Sequence, residues 1–205
     1  YTRVGSSAAS DVYKRQVCLH ATRRAGEMMG KRVLVTGSGP IGALSVLSAR
    51  AAGASEIVVT DLTDEALAYA QKIGADRTIN MIKEPDALKA YQAGKGYFDV
   101  LYECSGAAPA LASGIAAMRP RGIVMQLGMG GDMKVPVQAI TAKELDLRGS
   151  FRFHEEFAMA VKLMQQGTIQ VKPLISHTLP LDDAIEAFEI AADRTKAMKA
   201  QIAFN

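Results

Sequence analysis

Six residues constrain this chain more than any others: Gly37-Ser38-Gly39-Pro40-Ile41-Gly42. A lone G-x-G-x-x-G pattern is weak evidence, and its setting decides what it means. Here a β-branched run, Arg32-Val33-Leu34-Val35-Thr36, stands directly before it. The spacing of Ile41, Leu44, Leu47 and Ala51 predicts a helix directly after it. Strand, tight glycine turn and helix together make a cradle for the pyrophosphate of a dinucleotide. Gly37 permits the turn, Gly39 leaves room for phosphate beside the backbone, and Gly42 lets helix and strand pack closely. Free N–H groups and the positive end of the helix dipole then face the phosphates. Pro40 suits the first helical turn, where a missing N–H costs little.

Asp61 is the second element. It closes the next β-branched run, 19 residues beyond Gly42. A carboxylate there accepts the hydroxyls of an adenosine ribose and repels a 2′-phosphate, which favours NAD over NADP. The other reading is that Asp61 caps the helix opening near Asp64. Spacing and strand context favour the ribose role.

The remaining pattern alternates. Strands are expected at Arg32–Thr36, 56–60, Arg77–Asn80, Phe98–Glu103, 122–127 and 145–150, with helices at 41–52, 64–73, 85–93 and 109–118. Crossovers of this length imply parallel pairing, and the nearly continuous apolar runs imply strands buried on both faces. The expected fold is therefore α/β, a doubly wound parallel (Rossmann) sheet over residues 17–170, with a helix over 17–29 leading into it. Residues 1–16 show no apolar period and read as a disordered or foreign leader. After a helix at 155–166, the tail reads as strand 174–178, helix 181–191 and strand 200–204. Residues 171–205 are expected to belong to a second folding unit, the remnant of another domain.

Ligands of such sheets lie at the carboxyl ends of the strands. Three segments qualify: Cys104-Ser105-Gly106, Leu127-Gly128-Met129-Gly130-Gly131 and Gly149-Ser150-Phe151-Arg152-Phe153. The glycines allow close backbone approach to a ligand, or mark ordinary turns. Arg152, between two aromatics, reads as an anion or substrate contact or as a surface charge. Cys104 has no base beside it in sequence and reads as a small buried residue rather than a nucleophile.

The net charge of +3 is small and spread out, so no nucleic-acid partner is expected. No long apolar run suggests a membrane span, and no secretory signal is recognised. Two cysteines and three histidines (His20, His154 and His177) show no ligand spacing. No metal site is expected from this chain alone, and a reducing, cytoplasmic compartment fits.

From about Val17 onward the chain resembles the zinc-dependent medium-chain alcohol and polyol dehydrogenases. The match is carried by Gly30-Lys31-Arg32-Val33-Leu34-Val35-Thr36 with the glycine motif, and by Lys95-Gly96-Tyr97-Phe98-Asp99-Val100. Gly128-Met129-Gly130-Gly131, Leu147-Arg148-Gly149-Ser150-Phe151-Arg152-Phe153 and Glu156-Phe157 point to the idonate branch of that family. The resemblance implies oxidation of a secondary alcohol, on that branch C5 of L-idonate, with zinc stabilising the alkoxide and hydride passing to NAD. It implies that Gly37, Ser38, Gly39, Pro40, Ile41 and Gly42 hold pyrophosphate and Asp61 the ribose. Leu127, Gly128, Met129, Phe151, Arg152 and Phe153 would line the nicotinamide side, and Ser105, after the fourth strand, is a further candidate cofactor contact. The zinc ligands of the family belong to an amino-terminal domain that these residues do not supply, so no catalytic or metal residue is assigned, and the chain alone is expected to bind NAD without turnover. A small polyol or sugar-acid substrate and a homo-oligomer through this domain are also implied, with Lys134-Val135-Pro136-Val137 as a candidate edge. Another polyol dehydrogenase and a non-catalytic nucleotide-binding module remain as alternatives.

Overall fold

The apolar run before the glycine turn is explained by where it lies. Strand β1 (Arg32–Thr36) pairs in parallel with β2 (Glu56–Asp61) on one side and with β4 (Phe98–Glu103) on the other. Strand β3 (Arg77–Asn80) extends the β2 side, and β5 (Met118–Gln126) and β6 (Asp146–Gly149) extend the β4 side. The sheet order is β3-β2-β1-β4-β5-β6, with all pairs parallel. The winding direction reverses between β1 and β4, so a crevice opens at their carboxyl ends. The computed structural model describes residues 6–152, 155–193 and 197–204, with side chains from Arg15 onward.

Alternate side chains serve two cores. Val33, Val35, Ile57, Val59, Val100 and Tyr102 are buried in one cluster; Leu34, Val58 and Leu101 are buried in the other. That period of two, apolar on both faces, is what a sheet covered by helices on each side requires. Helices α2 (Pro40–Ala51) and α3 (Asp64–Lys72) contribute Ala43, Val46, Ala49, Leu67 and Ala70 to the first cluster. Helix α4 (Ala108–Ala117) contributes Leu111 and Ile115 to the second.

Helix α1 (Ser6–Ala25) begins at Ser6, not at residue 17, and so includes residues expected to be a disordered leader. Packing of Cys18, Ala21 and Ala25 in the first core anchors its later turns. Once a helix is nucleated, extension into an alanine-containing segment costs little. Helix α6 (Glu156–Gln165) packs on α1 through Leu19 and Ala160. Glu156, buried in that contact, accepts from Arg23 Nη1 at 2.8 Å and lies 3.2 Å from His20 Nδ1.

Other differences are local. The stretch expected as a helix at 85–93 is 3-10 structure over Ala87–Lys95, broken by extended Ala93 and left-handed Gly94. Strand β5 starts at Met118, where a helix end was expected, and a register shift separates its Phe98 pairing from its Val100 pairing. Residues 134–136 form no strand within the chain and lead into helix α5 (Val137–Ala142). Pro136 ends the extended segment and leads the helix.

The tail forms its own parallel pair, β7 (His177–Pro180) with β8 (Ala200–Ala203), joined through α7 (Ala184–Ala192). Strand β7 lies later than expected because a 3-10 turn containing Pro173 occupies Lys172–Leu174. Val171, Leu174 and Met198 nevertheless bury into the first core, so this tail is anchored to the main sheet. Among the described residues, no helix is long and apolar enough to cross a membrane.

Candidate functional site

The glycine turn leaves β1 at the crevice. Gly37 has φ +86°, a left-handed conformation that favours glycine. A methyl group there would lie 2.8 Å from the Ser105 backbone nitrogen, so the turn rests directly on the loop after β4. A methyl group on Gly42 would come within 1.8 Å of the Gly37 carbonyl oxygen. That contact holds the start of α2 against the turn. Gly39 differs from both: a methyl group there meets nothing within 4 Å. Gly39 is also the N-cap of α2, with Pro40 in the first turn and no side-chain cap hydrogen bond. The first N–H groups of the helix have no intrahelical acceptor and stand at its positive end.

Asp61 reaches this turn from the end of β2. Its Oδ2 accepts from the Ser38 backbone N–H at 2.6 Å. Its Oδ1 accepts from Leu62 N at 2.7 Å, Thr63 N at 3.1 Å and Thr63 Oγ1 at 3.2 Å. Ser38 Oγ donates to the Ala66 carbonyl at 2.9 Å, which ties the turn to α3. The α3 N-cap is Thr63, without a side-chain cap bond. Asp61 therefore braces the turn into α3 with one oxygen and the glycine turn with the other, and remains partly exposed.

The loops after β4, β5 and β6 stand in succession along the crevice. A methyl group on Gly106 would lie 2.8 Å from Gly130 N. Gln126 pairs with Gly149, and Ser150 N donates to Gln126 O at 2.9 Å, which ties the start of the loop after β6 to the end of β5. Met129 and Phe151 are exposed, and the Arg152 guanidinium lies 5.1 Å from the Phe151 ring centroid. Phe153 lies outside the described residues. Gly128, Met129 and Gly130 also line an apolar cavity of about 370 Å³ with Leu111, Met133 and Leu147. Neither residues 37–42 nor Asp61 lines that cavity, so it is separate from the glycine turn.

Glu103 and Gln126 were not among the expected site residues. Glu103 is buried at the end of β4, where it accepts from Ser105 N at 2.9 Å and from Gln126 Nε2 at 2.7 Å. The available signal was an acidic residue closing an otherwise apolar buried strand. Cys104 is only partly buried as a residue, packed on the first core with its sulfur 3.8 Å from Ser45 Oγ. Burial pushes its thiol well up, which suits a packed residue and not a thiolate nucleophile. Among the described residues, no group of three or more His, Cys, Asp or Glu side chains is placed to hold a metal ion.

A family model described as zinc-binding dehydrogenase matches residues 40–166. The chain is 41% identical over 189 residues to the L-idonate 5-dehydrogenase (NAD(P)(+)) of Escherichia coli, covering 92% of this chain and 54% of that protein. The crystal structure of that enzyme superposes with a TM-score of 0.92 at 38% identity, over 100% of this chain and 59% of the other. Sorbitol dehydrogenase of Rattus norvegicus is 40% identical over 179 residues, 85% of this chain and 50% of its own length. A putative zinc-binding dehydrogenase from Sinorhizobium meliloti, solved bound to NADP, superposes with a TM-score of 0.85 at 26% identity, over 96% of this chain and 59% of that one. The chain thus spans about half the length of the curated relatives it matches.

Proposed function

Since this chain belongs to the zinc-binding dehydrogenase family, we propose that it is the NAD-holding part of a dehydrogenase that oxidises a polyol or sugar acid, L-idonate in the first instance. The observation that carries the reading is the Ser38–Asp61 bond beside an open Gly39. The residues present fit a nicotinamide dinucleotide. The space at Gly39 and the uncapped start of α2 suit a pyrophosphate, and Asp61 suits a ribose. When bound, the cofactor supplies the hydride acceptor. The chain's own residues bind and orient it: residues 37–42 at the phosphates, Asp61 at the ribose, and Ser105, Leu127, Gly128, Met129, Phe151, Arg152 and Phe153 toward the ring.

Zinc is a different case. The described residues bring no ligand cluster together, so no role in the chemistry is given to a metal held by this chain. Residues 171–205 are read as the return to a further domain of the longer protein. Exposed Ile185, Phe188 and Phe204 in that tail support this reading. The segment alone is proposed to bind cofactor without turning over substrate, and to self-associate through the six-stranded unit.

Calorimetric titration of the purified chain with NAD and with NADP tests the reading. Saturable NAD binding, tighter than NADP, is expected from Asp61. Absence of NAD binding to folded protein overturns it. The Escherichia coli relative carries both cofactors in its name, so the NADP arm decides the preference. Turnover of L-idonate against other polyols, measured on the longer polypeptide, decides the substrate; light scattering reads the oligomer.

A further inference from the structure

Glu103 has no exposed surface, yet it ends in a carboxylate that meets donors from three strand ends. From β1, Thr36 Oγ1 donates at 3.4 Å. From the loop after β4, Ser105 N donates at 2.9 Å, and Gly106 N is shared between the two oxygens at 3.1 and 3.0 Å. Ser105 Oγ also donates to it. From β5, Gln126 Nε2 donates at 2.7 Å and reaches on to the Gly128 carbonyl at 2.8 Å. The main chain repeats the link, since Leu127 N and Gly128 N both donate to the Glu103 carbonyl, at 2.9 and 2.8 Å.

The packing leaves no slack around this hub. A methyl group on Gly128 would come 2.1 Å from Gly106 N and 2.7 Å from Glu103 Oε2. The loops after β4 and β5 therefore touch backbone to backbone over the carboxylate. An ionised carboxylate only accepts, and every group around this one donates. An amide in its place turns one acceptor into a donor that faces the Gly106 N–H or the Gln126 Nε2, and buried mispaired groups are expensive.

We infer that Glu103 is the positioning residue for the nicotinamide end of the cleft. It fixes Ser105 and Gly106 against Leu127 and Gly128, and through Thr36 it sets both relative to the glycine turn. Being enclosed, it acts through those residues and does not touch the cofactor. This inference rests on the proposed cofactor reading. The Ser38–Asp61 bond that braces the adenosine end is not among its partners, and the hub reaches the glycine turn only through Thr36 and through the contact of Ser105 with Gly37.

The test uses the purified chain, the Glu103→Gln variant, and two ligands that differ at the ring. ADP-ribose lacks nicotinamide; NADH carries it and reports on its surroundings by fluorescence. For folded Glu103→Gln, ADP-ribose affinity stays within about twofold of the parent, while NADH binds at least about tenfold more weakly and loses its emission shift. Equal weakening of both ligands, or of neither, overturns the inference, because a general loss of structure would not separate the two ends. Should Glu103→Gln fail to fold, Gln126→Met removes only the arm from Glu103 to Gly128, and the same split is expected. If the parent chain binds ADP-ribose but NADH gains nothing in emission, the ring does not lie against these loops and the inference falls alone. If the parent binds neither ligand, the cofactor reading falls and takes the inference with it.

Discussion

The backbone N–H of Ser38 donates to Asp61 Oδ2 at 2.6 Å, joining the glycine turn after β1 to the end of β2. Asp61 is thus a brace before it is a ligand group. On the proposed reading, a ribose hydroxyl would meet a carboxylate already held in place by Ser38, Leu62 and Thr63. Such preorganisation lowers the cost of binding.

Asp61→Asn tests the brace and the ribose role together. The amide either turns its NH₂ toward the Ser38 N–H or gives up the bonds at Leu62 and Thr63. NAD affinity is expected to fall by about tenfold or more. NADP affinity falls less, because the negative charge that repels a 2′-phosphate is gone. The ratio of the two dissociation constants, from paired titrations, is the readout. An unchanged ratio removes Asp61 from the discrimination.

Two glycines three residues apart should behave in opposite ways. Gly42→Ala forces a methyl group to within 1.8 Å of the Gly37 carbonyl. Overpacking of that kind costs about 1–3 kcal/mol or more. Gly39→Ala meets no protein atom within 4 Å. Its stability should stay within about 0.5 kcal/mol of the parent, as for a surface change, while NAD binding drops because the methyl group fills the phosphate space. Chemical denaturation and a cofactor titration on each variant separate the effects.

Leu34 lies at the centre of the sheet with no exposed surface, packed in the second core cluster. Leu34→Ala should destabilise the chain by about 2–5 kcal/mol, the transfer loss plus the cavity. The midpoint of a denaturant curve measures it. A loss of less than about 1 kcal/mol would mean that the core collapses onto the gap.

Burial raises the Cys104 thiol and, above it in the titration range, the Tyr102 phenol. A folded pKa raised above the unfolded one favours the protonated form in the native state. The stability this contributes is complete below the unfolded thiol value, about 8.5. Above that pH the unfolded state releases protons that the folded state keeps, so stability falls. Unfolding free energy should decline from about pH 8.5 upward, and Cys104→Ser should flatten the first part of that decline. A thiol reagent at neutral pH should modify Cys104 in denaturant and spare it in the folded chain.

Much of the crevice was legible in the residues. The strand, glycine turn and helix around 37–42 were readable because their spacing is local, and Asp61 stands at the end of β2 as that spacing implied. Strands β1, β3 and β4 were found with their bounds, since short β-branched or apolar runs bounded by turns leave few options. The start of α1 was not, because its packing against α2 and α6 depends on contacts far along the chain. Nor was the 3-10 stretch at Ala87–Lys95, whose helical spacing looks the same in sequence.

By itself, then, the sequence determined the class of fold and the glycine turn after β1. Hydrophobic period and glycine chemistry are local properties, written within a few residues of where they act. What only the tertiary structure decided is how separate strand ends are tied together. Asp61 meets Ser38 across 23 positions, and Glu103 meets Gln126 across another 23. Those bonds exist because parallel strands bring distant residues side by side, and because a buried carboxylate must collect every donor its surroundings offer.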